Sequence, residues 1–146
     1  MDSFNFKKWN NALGWFVFTI ALSTYWLTVE PTASFWDAGE YITTSSNLEV
    51  GHPPGAPLYQ ILGAFFSIFA LEATNIALTI NLMSVFASAF TILFMFWSLT
   101  MLLTTIVSRK IELKKQNYHA ILGSAAIGSL AFAFSDSFWF NAVEAE

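Results

Sequence analysis

The chain has 146 residues, 55% apolar and 18% aromatic, with only 11% charged and a formal net charge of −4. A soluble domain carries about 25% charged residues, so this composition excludes an ordinary soluble domain and points to a membrane protein, with no nucleic-acid partner expected. The absence of cysteine excludes a disulfide framework, a thiolate nucleophile and a Cys-ligated zinc.

The stretch from Trp9 to Val29 is uncharged for 21 residues, enough to cross a hydrocarbon core of about 30 Å as a helix. Lys7 and Lys8 precede it, as in a signal peptide. Its apolar core is too long for one, however, and Pro31-Thr32-Ala33-Ser34 is a weak cleavage site. It reads as an uncleaved anchor whose N-terminus is cytoplasmic by the positive-inside rule. Residues 30–55 form a polar outer loop, and His52 and Pro53, each preceding a proline, predict an extended, stiff corner at its end. Residues 56–71 are apolar but span only about 24 Å as a helix, short of the membrane. Tyr59, Gln60, Gly63 and Ser67 fall on one stripe of that segment. Were it to cross, the next run would carry Arg109, Lys110, Lys114 and Lys115 outward; lying flat on the outer face, it leaves all four inside.

The uncharged run from Ile76 to Val107 is the second expected span, longer than a bilayer requires. Asn81 and several Ser, Thr and Ala residues there offer positions toward neighbouring helices. A third span runs from Tyr118 to Phe140, with Gly123, Ala125, Ala126 and Gly128 as a small-residue face and Asp136, an ionisable group, near its outer end. The expected fold is therefore an all-α membrane protein with three transmembrane helices (about 9–29, 76–107 and 118–140), an outer loop at 30–55 and a juxtamembrane helix at 56–71. Three such spans make a poor closed bundle, so the expectation is the N-terminal part of a larger protein.

This topology puts all six Lys and Arg residues inside and nearly all the acids outside. The Arg109–Lys115 run then sets topology and touches anionic lipid. Outside, Asp37 and Glu40 are three apart and share one face of a helical turn. Such a pair can divide labour, one carboxylate as general base and the other as orienting group or divalent-cation ligand, or be simply solvated. Trp36 and Tyr41 flank it, and Gly39 permits close approach. His52 can donate to a phosphate or transfer a proton, or serve only as a hydrogen-bonded corner residue; His119, beside the basic cluster, receives no role. Glu144 and Glu146 share a face only in extended chain. The aromatic residues from Phe132 to Phe140 read as core and interface belt. No Lys or Arg is on the outer side to stabilise a departing phosphate. The competing readings are a transporter or channel module with the outer carboxylates as a cation site, and a non-catalytic assembly protein.

Three motifs, Trp36-Asp37-Ala38-Gly39-Glu40-Tyr41, His52-Pro53-Pro54-Gly55 and the closing Phe138-Trp139-Phe140-Asn141-Ala142-Val143-Glu144-Ala145-Glu146, occur in this order around a long second span. The arrangement resembles the N-terminal part of the GT-C superfamily of polytopic glycosyltransferases, and within it glycosyltransferase family 117, related to protein O-mannosyltransferases. The resemblance implies transfer of a sugar from a polyprenyl-phosphate carrier to an acceptor, a protein hydroxyl or an envelope glycan, on the outer face of a multi-pass cytoplasmic-membrane enzyme. It implies Asp37 as catalytic base or acceptor-orienting group and Glu40 as the second acidic position, at a wider spacing than the acidic pair of many relatives. It also implies His52 near the carrier phosphate, and Glu144 and Glu146 at the substrate. Members carry many more spans than three, so a piece of this length is expected to be inactive alone.

Overall fold

The computed structural model of the protein describes residues 5–34 and 36–145. Among these the regular structure is helical, with no strand: α1 (Phe6–Thr28), α2 (Ala38–Asn47), α3 (Pro57–Ser67), a 3-10 turn (Ala73–Asn75), α4 (Ile76–Ser108), α5 (Lys115–Ala133) and α6 (Asp136–Ala142). Local chemistry sets several of the ends. The Asn5 side chain accepts the Lys8 N–H at 3.1 Å and so caps α1. Pro57 sits in the first turn of α3, where its missing N–H costs nothing. Asn117 in the first turn of α5 reaches back to the Lys114 N–H at 2.8 Å.

Two elements differ from the sequence expectation. The outer loop contains a ten-residue helix, α2, which ends where Leu48 turns left-handed at φ 54° and its N–H and that of Glu49 return to Ser45 and Thr44. The apolar run ending at Phe140 is interrupted at Phe134 and Ser135, so that α5 and α6 are separate helices.

One helical stretch, Ala73–Ser108, is by itself long and apolar enough to cross a membrane, and α5 with α6 qualifies if the two are taken as one broken span. Only 22% of the most apolar window of Ala73–Ser108 is buried, unlike the core helix of a soluble protein. Helix α1 has the length, but its Trp, Tyr, Asn, Ser and Thr residues lower its hydropathy and keep it outside that set.

The chain divides into two compact units, one formed by Met1–Ala21 with Ala89–Ser135 and the other by Leu22–Ser88 with Asp136–Glu146. In the first, Val17, Ala21, Ile92, Leu93, Phe96 and Ala125 are buried, and the rings of Phe18 and Phe90 meet at 4.8 Å. All six Lys and Arg residues fall in this unit. In the second, α2 packs on α3, with Tyr41 against Tyr59 at 5.1 Å between ring centroids. Gly63 makes that approach possible, because a Cβ there would stand 2.7 Å from both Cβ and Oγ of the buried Ser45.

These contacts make opposite predictions for two substitutions. Gly63→Ala should destabilise the protein by about 1–3 kcal/mol through overpacking of α2 on α3. Leu48→Gly should stabilise it by up to about 1 kcal/mol, since an exposed leucine loses little burial and the left-handed conformation favours glycine. Thermal unfolding in one detergent checks both, and a lower midpoint for Leu48→Gly than for the parent would contradict the capping account.

Candidate functional site

The three sequence motifs converge in the second unit. Ala38 of the first motif, Ala145 of the last, Ile42 and Ile80 form one buried cluster, with Tyr41, Tyr59, Ile76 and Ala77 packed around it. The start of α2 is therefore seated on α4 and on the segment after α6, although more than a hundred residues separate Ala38 from Ala145.

Asp37 is the residue before α2, with helical φ and ψ and no capping hydrogen bond from its side chain. It is exposed, and the preceding Trp36 adopts a left-handed conformation at φ 63° with 88% of its surface exposed. A bulky non-glycine residue in that region is strained, and the turn it makes directs the chain into α2.

Glu40 lies in the first turn of α2 and is engaged elsewhere. Its Oε1 accepts the His52 backbone N–H at 2.6 Å and its Oε2 contacts the His52 ring Nδ1 at 2.8 Å. This clamp joins the first motif to the second, twelve residues on. It needs Gly51 to lack a side chain, because a Cβ at that position would stand 2.8 Å from Glu40 Oε1. The His52 backbone N–H, followed by the ring hydrogen bond, holds the Glu40 carboxyl below its ordinary 4.5. The hydrogen bond to Glu40 raises the His52 imidazole above its ordinary 6.5, and the charges of Glu40 and Asp37 add to that. With Nδ1 directed to Glu40 and 55% of the His52 side chain exposed, the other ring nitrogen is left as the one for external contacts.

Glu144 is 4% exposed and accepts a hydrogen bond from the Ser34 hydroxyl. It lines a cavity of about 330 Å³ together with Glu30, Ser34 and Phe140. Glu146 lies outside the described residues. Asp136 opens α6 and is exposed, and His119 is in the other unit. No group of three or more His, Cys, Asp or Glu side chains able to hold a metal ion occurs among the described residues.

Sequence reasoning passed over two participants and gave a third another role. Ser34 and Gly51 carry no signal of their own in a loop. Asn81, expected to face neighbouring helices, donates instead to the backbone carbonyls of Glu30 at 2.7 Å and Thr32 at 3.1 Å. The sequence signal was a lone carboxamide near the start of the uncharged run from Ile76 to Val107.

The family model described as "Protein O-mannosyl-transferase TMEM260 N-terminal domain" matches residues 37–146. The chain belongs to this family. A stretch of 61 residues, 41% of the chain, is 41% identical to "Protein O-mannosyl-transferase tmem260" of Dictyostelium discoideum and covers 7% of that protein's length. No solved structure matches the chain. The family match begins at Asp37 and takes in Glu40, His52 and Glu144, while the segment from Glu30 to Ser34 precedes it.

The clamp predicts a pH signature. A raised His52 pKa adds stability that is fully present below 6.5 and is lost as pH rises through the folded value. A lowered Glu40 pKa adds stability that is present above 4.5 and is lost as pH falls through its folded value. Both contributions are complete only between those two ordinary values. Glu40→Gln should shift the His52 midpoint downward, as read from imidazole NMR titration in micelles, and Gly51→Ala should do so partially. An unchanged midpoint in Glu40→Gln would mean that the carboxylate does not hold the ring.

Proposed function

We propose that this chain is the N-terminal membrane part of an inverting GT-C-type glycosyltransferase that moves a sugar from a polyprenyl-phosphate carrier to a hydroxyl of a protein acceptor on the outer face of the membrane. The observation that carries the reading is the division between the two acids of the first motif. Glu40 is committed to His52, and no hydrogen bond from a described residue engages the carboxylate of Asp37.

In this reading Asp37 takes the proton of the acceptor hydroxyl. The freed oxygen forms a bond to the anomeric carbon as the bond from that carbon to the phosphate oxygen breaks, and the carrier phosphate leaves with the bonding pair. His52, held by Glu40, is the only basic side chain that residues 22–88 and 136–146 contain. Its raised pKa favours the protonated ring, which would donate to the phosphate from the nitrogen that Glu40 does not use. Glu40 thus acts as an orienting group, and Glu144, which lines a cavity with Glu30 and Ser34, is the substrate-side carboxylate. A single imidazolium is a small counter-charge for a departing phosphate, so further cationic groups would come from parts of the full-length protein beyond this segment.

The same reading has three spans, at about 9–29, 76–107 and 118–140. The loop of residues 30–55 and the flat helix α3 are outside, and both basic clusters are in the cytoplasm. Exposed Leu58, Ile61 and Phe65 on α3 suit a helix lying in the interface. The alternative of an outer cation site draws no support from the described acids, which form no metal-binding group.

Two experiments on the full-length protein test this. Asp37→Asn should lower sugar transfer by about 10²–10⁴-fold at matched protein level, and Glu40→Gln by less; near-normal transfer in Asp37→Asn would remove Asp37 from the base role. Single cysteines at the exposed Asn47 and Glu72 should react with an impermeant maleimide from outside and one at Gln116 only after permeabilisation. Labelling of the Glu72 position from the cytoplasmic side would sink the flat placement of α3.

A further inference from the structure

We infer that Asn81 is a positioning residue for Asp37, acting through the strap of residues 30–34; the inference rests on the reading of Asp37 as the base. Both backbone groups of Glu30 and of Thr32 in this strap are paired. The Glu30 N–H donates to the Val143 carbonyl at 2.9 Å. The Glu30 carbonyl receives Asn81 Nδ2 at 2.7 Å and the Thr32 carbonyl receives the same nitrogen at 3.1 Å. Pro31 has no N–H to satisfy. The Thr32 N–H and hydroxyl both donate to Glu30 Oε1, at 3.3 and 2.8 Å. Two residues further on, the Ser34 hydroxyl donates to the buried Glu144.

The strap is therefore held on one side by α4 through Asn81 and on the other by the segment after α6 through Val143 and Glu144. Asp37 follows three residues after Ser34 and immediately precedes Ala38, which is locked in the cluster with Ile42, Ile80 and Ala145. The strained turn at Trp36 lies between these two fixed points. A carboxylate at such a place is set by both anchors, and loss of one lets it drift with the strap.

Asn81 suits this task better than that of helix glue. Its side chain is fully buried, its amide nitrogen is spent on the strap, and Oδ1 has no partner among the described residues. A leucine of similar volume would serve an apolar helix better, so the polar side chain is retained at a cost. What it supplies is a fork of two N–H donors matched to two carbonyls two residues apart.

The test is a double-mutant cycle in the full-length protein, reading kcat and donor KM separately. Asn81→Leu keeps the helix apolar and removes both donors. It should lower kcat roughly tenfold to a hundredfold, the range expected for a displacement of about 1 Å at the base, with donor KM little changed. Asn81→Gln, which keeps the fork on a longer stem, should recover part of the loss. In the Asp37→Asn background, Asn81→Leu should cost little more. An equal loss in both backgrounds, or a loss confined to KM, would overturn the positioning role. A second readout separates this inference from the base assignment. A cysteine at the exposed Ala33 in a cysteine-free background should react faster with maleimide when Asn81 is replaced by leucine. An unchanged labelling rate would overturn the anchoring whatever the kinetics show. Faster labelling together with near-normal transfer by Asp37→Asn would leave the anchor standing and remove Asp37 as the base.

Discussion

A carboxamide buried in an apolar helix is the joint on which the second unit depends. The chain leaves α1 at Thr28 and runs through residues 30–34 toward α2, with the backbone N–H and carbonyl of both Glu30 and Thr32 paired. Asn81 takes two of the carbonyls and Val143 takes the Glu30 N–H. Leaving the buried Asn81 amide unpaired would cost about 1–3 kcal/mol, so the joint favours a strap held against α4. With the strap fixed, the cluster of Ala38, Ile42, Ile80 and Ala145 can close over α4, and the first and last motifs come to lie together.

Charge distribution explains the second feature of the site. Every Lys and Arg lies in the first unit, and in the second His52 is the sole basic side chain among Glu30, Asp37, Glu40, Glu49, Glu72, Asp136 and Glu144. Several of these acids are held by hydrogen bonds. Glu30 turns back on Thr32, Glu144 takes the Ser34 hydroxyl, and Glu40 takes both a backbone N–H and the one imidazole. An exposed ion pair contributes little by itself. The Glu40 clamp has more geometric force than that, because its contact with the His52 backbone does not depend on the ring being charged.

The helical character and the long apolar run through α4 were legible from hydropathy, since they rest on composition over many residues. The motif positions were legible too, because acids, prolines and aromatics in a short loop stand out. Their mutual arrangement was not. Glu40 and His52 are twelve residues apart with no periodicity to join them, and the spacing argument paired Glu40 with Asp37, its neighbour on the helical turn. Helix α2 was hidden because Thr43, Thr44, Ser45 and Ser46 form helices poorly. In the structure three of these hydroxyls bond to carbonyls three or four residues back, and the fourth, Ser45, is buried against α3. The break at Phe134 and Ser135 escaped for the opposite reason: both residues are compatible with a continuing apolar helix, and hydropathy does not register a turn.

The different fates of Asp37 and Glu40 follow from where each stands relative to the start of α2. A carboxylate in the first turn is favoured by the unpaired N–H groups and the positive end of the helix dipole. Glu40, whose longer side chain can reach across to the next loop, uses that position to hold the His52 corner. Asp37 precedes the first helical residue, and its shorter side chain makes no capping bond. It keeps the free electron pairs that a base requires, within electrostatic reach of an imidazole that would carry the opposite charge. In the proposed reaction those are complementary assignments: one acid remains available to take a proton, and the other is spent on keeping a cation in place. An aspartate at position 40, one methylene shorter, would fall short of the His52 contacts. In that proposal the two acids take separate tasks rather than acting as a single carboxylate dyad.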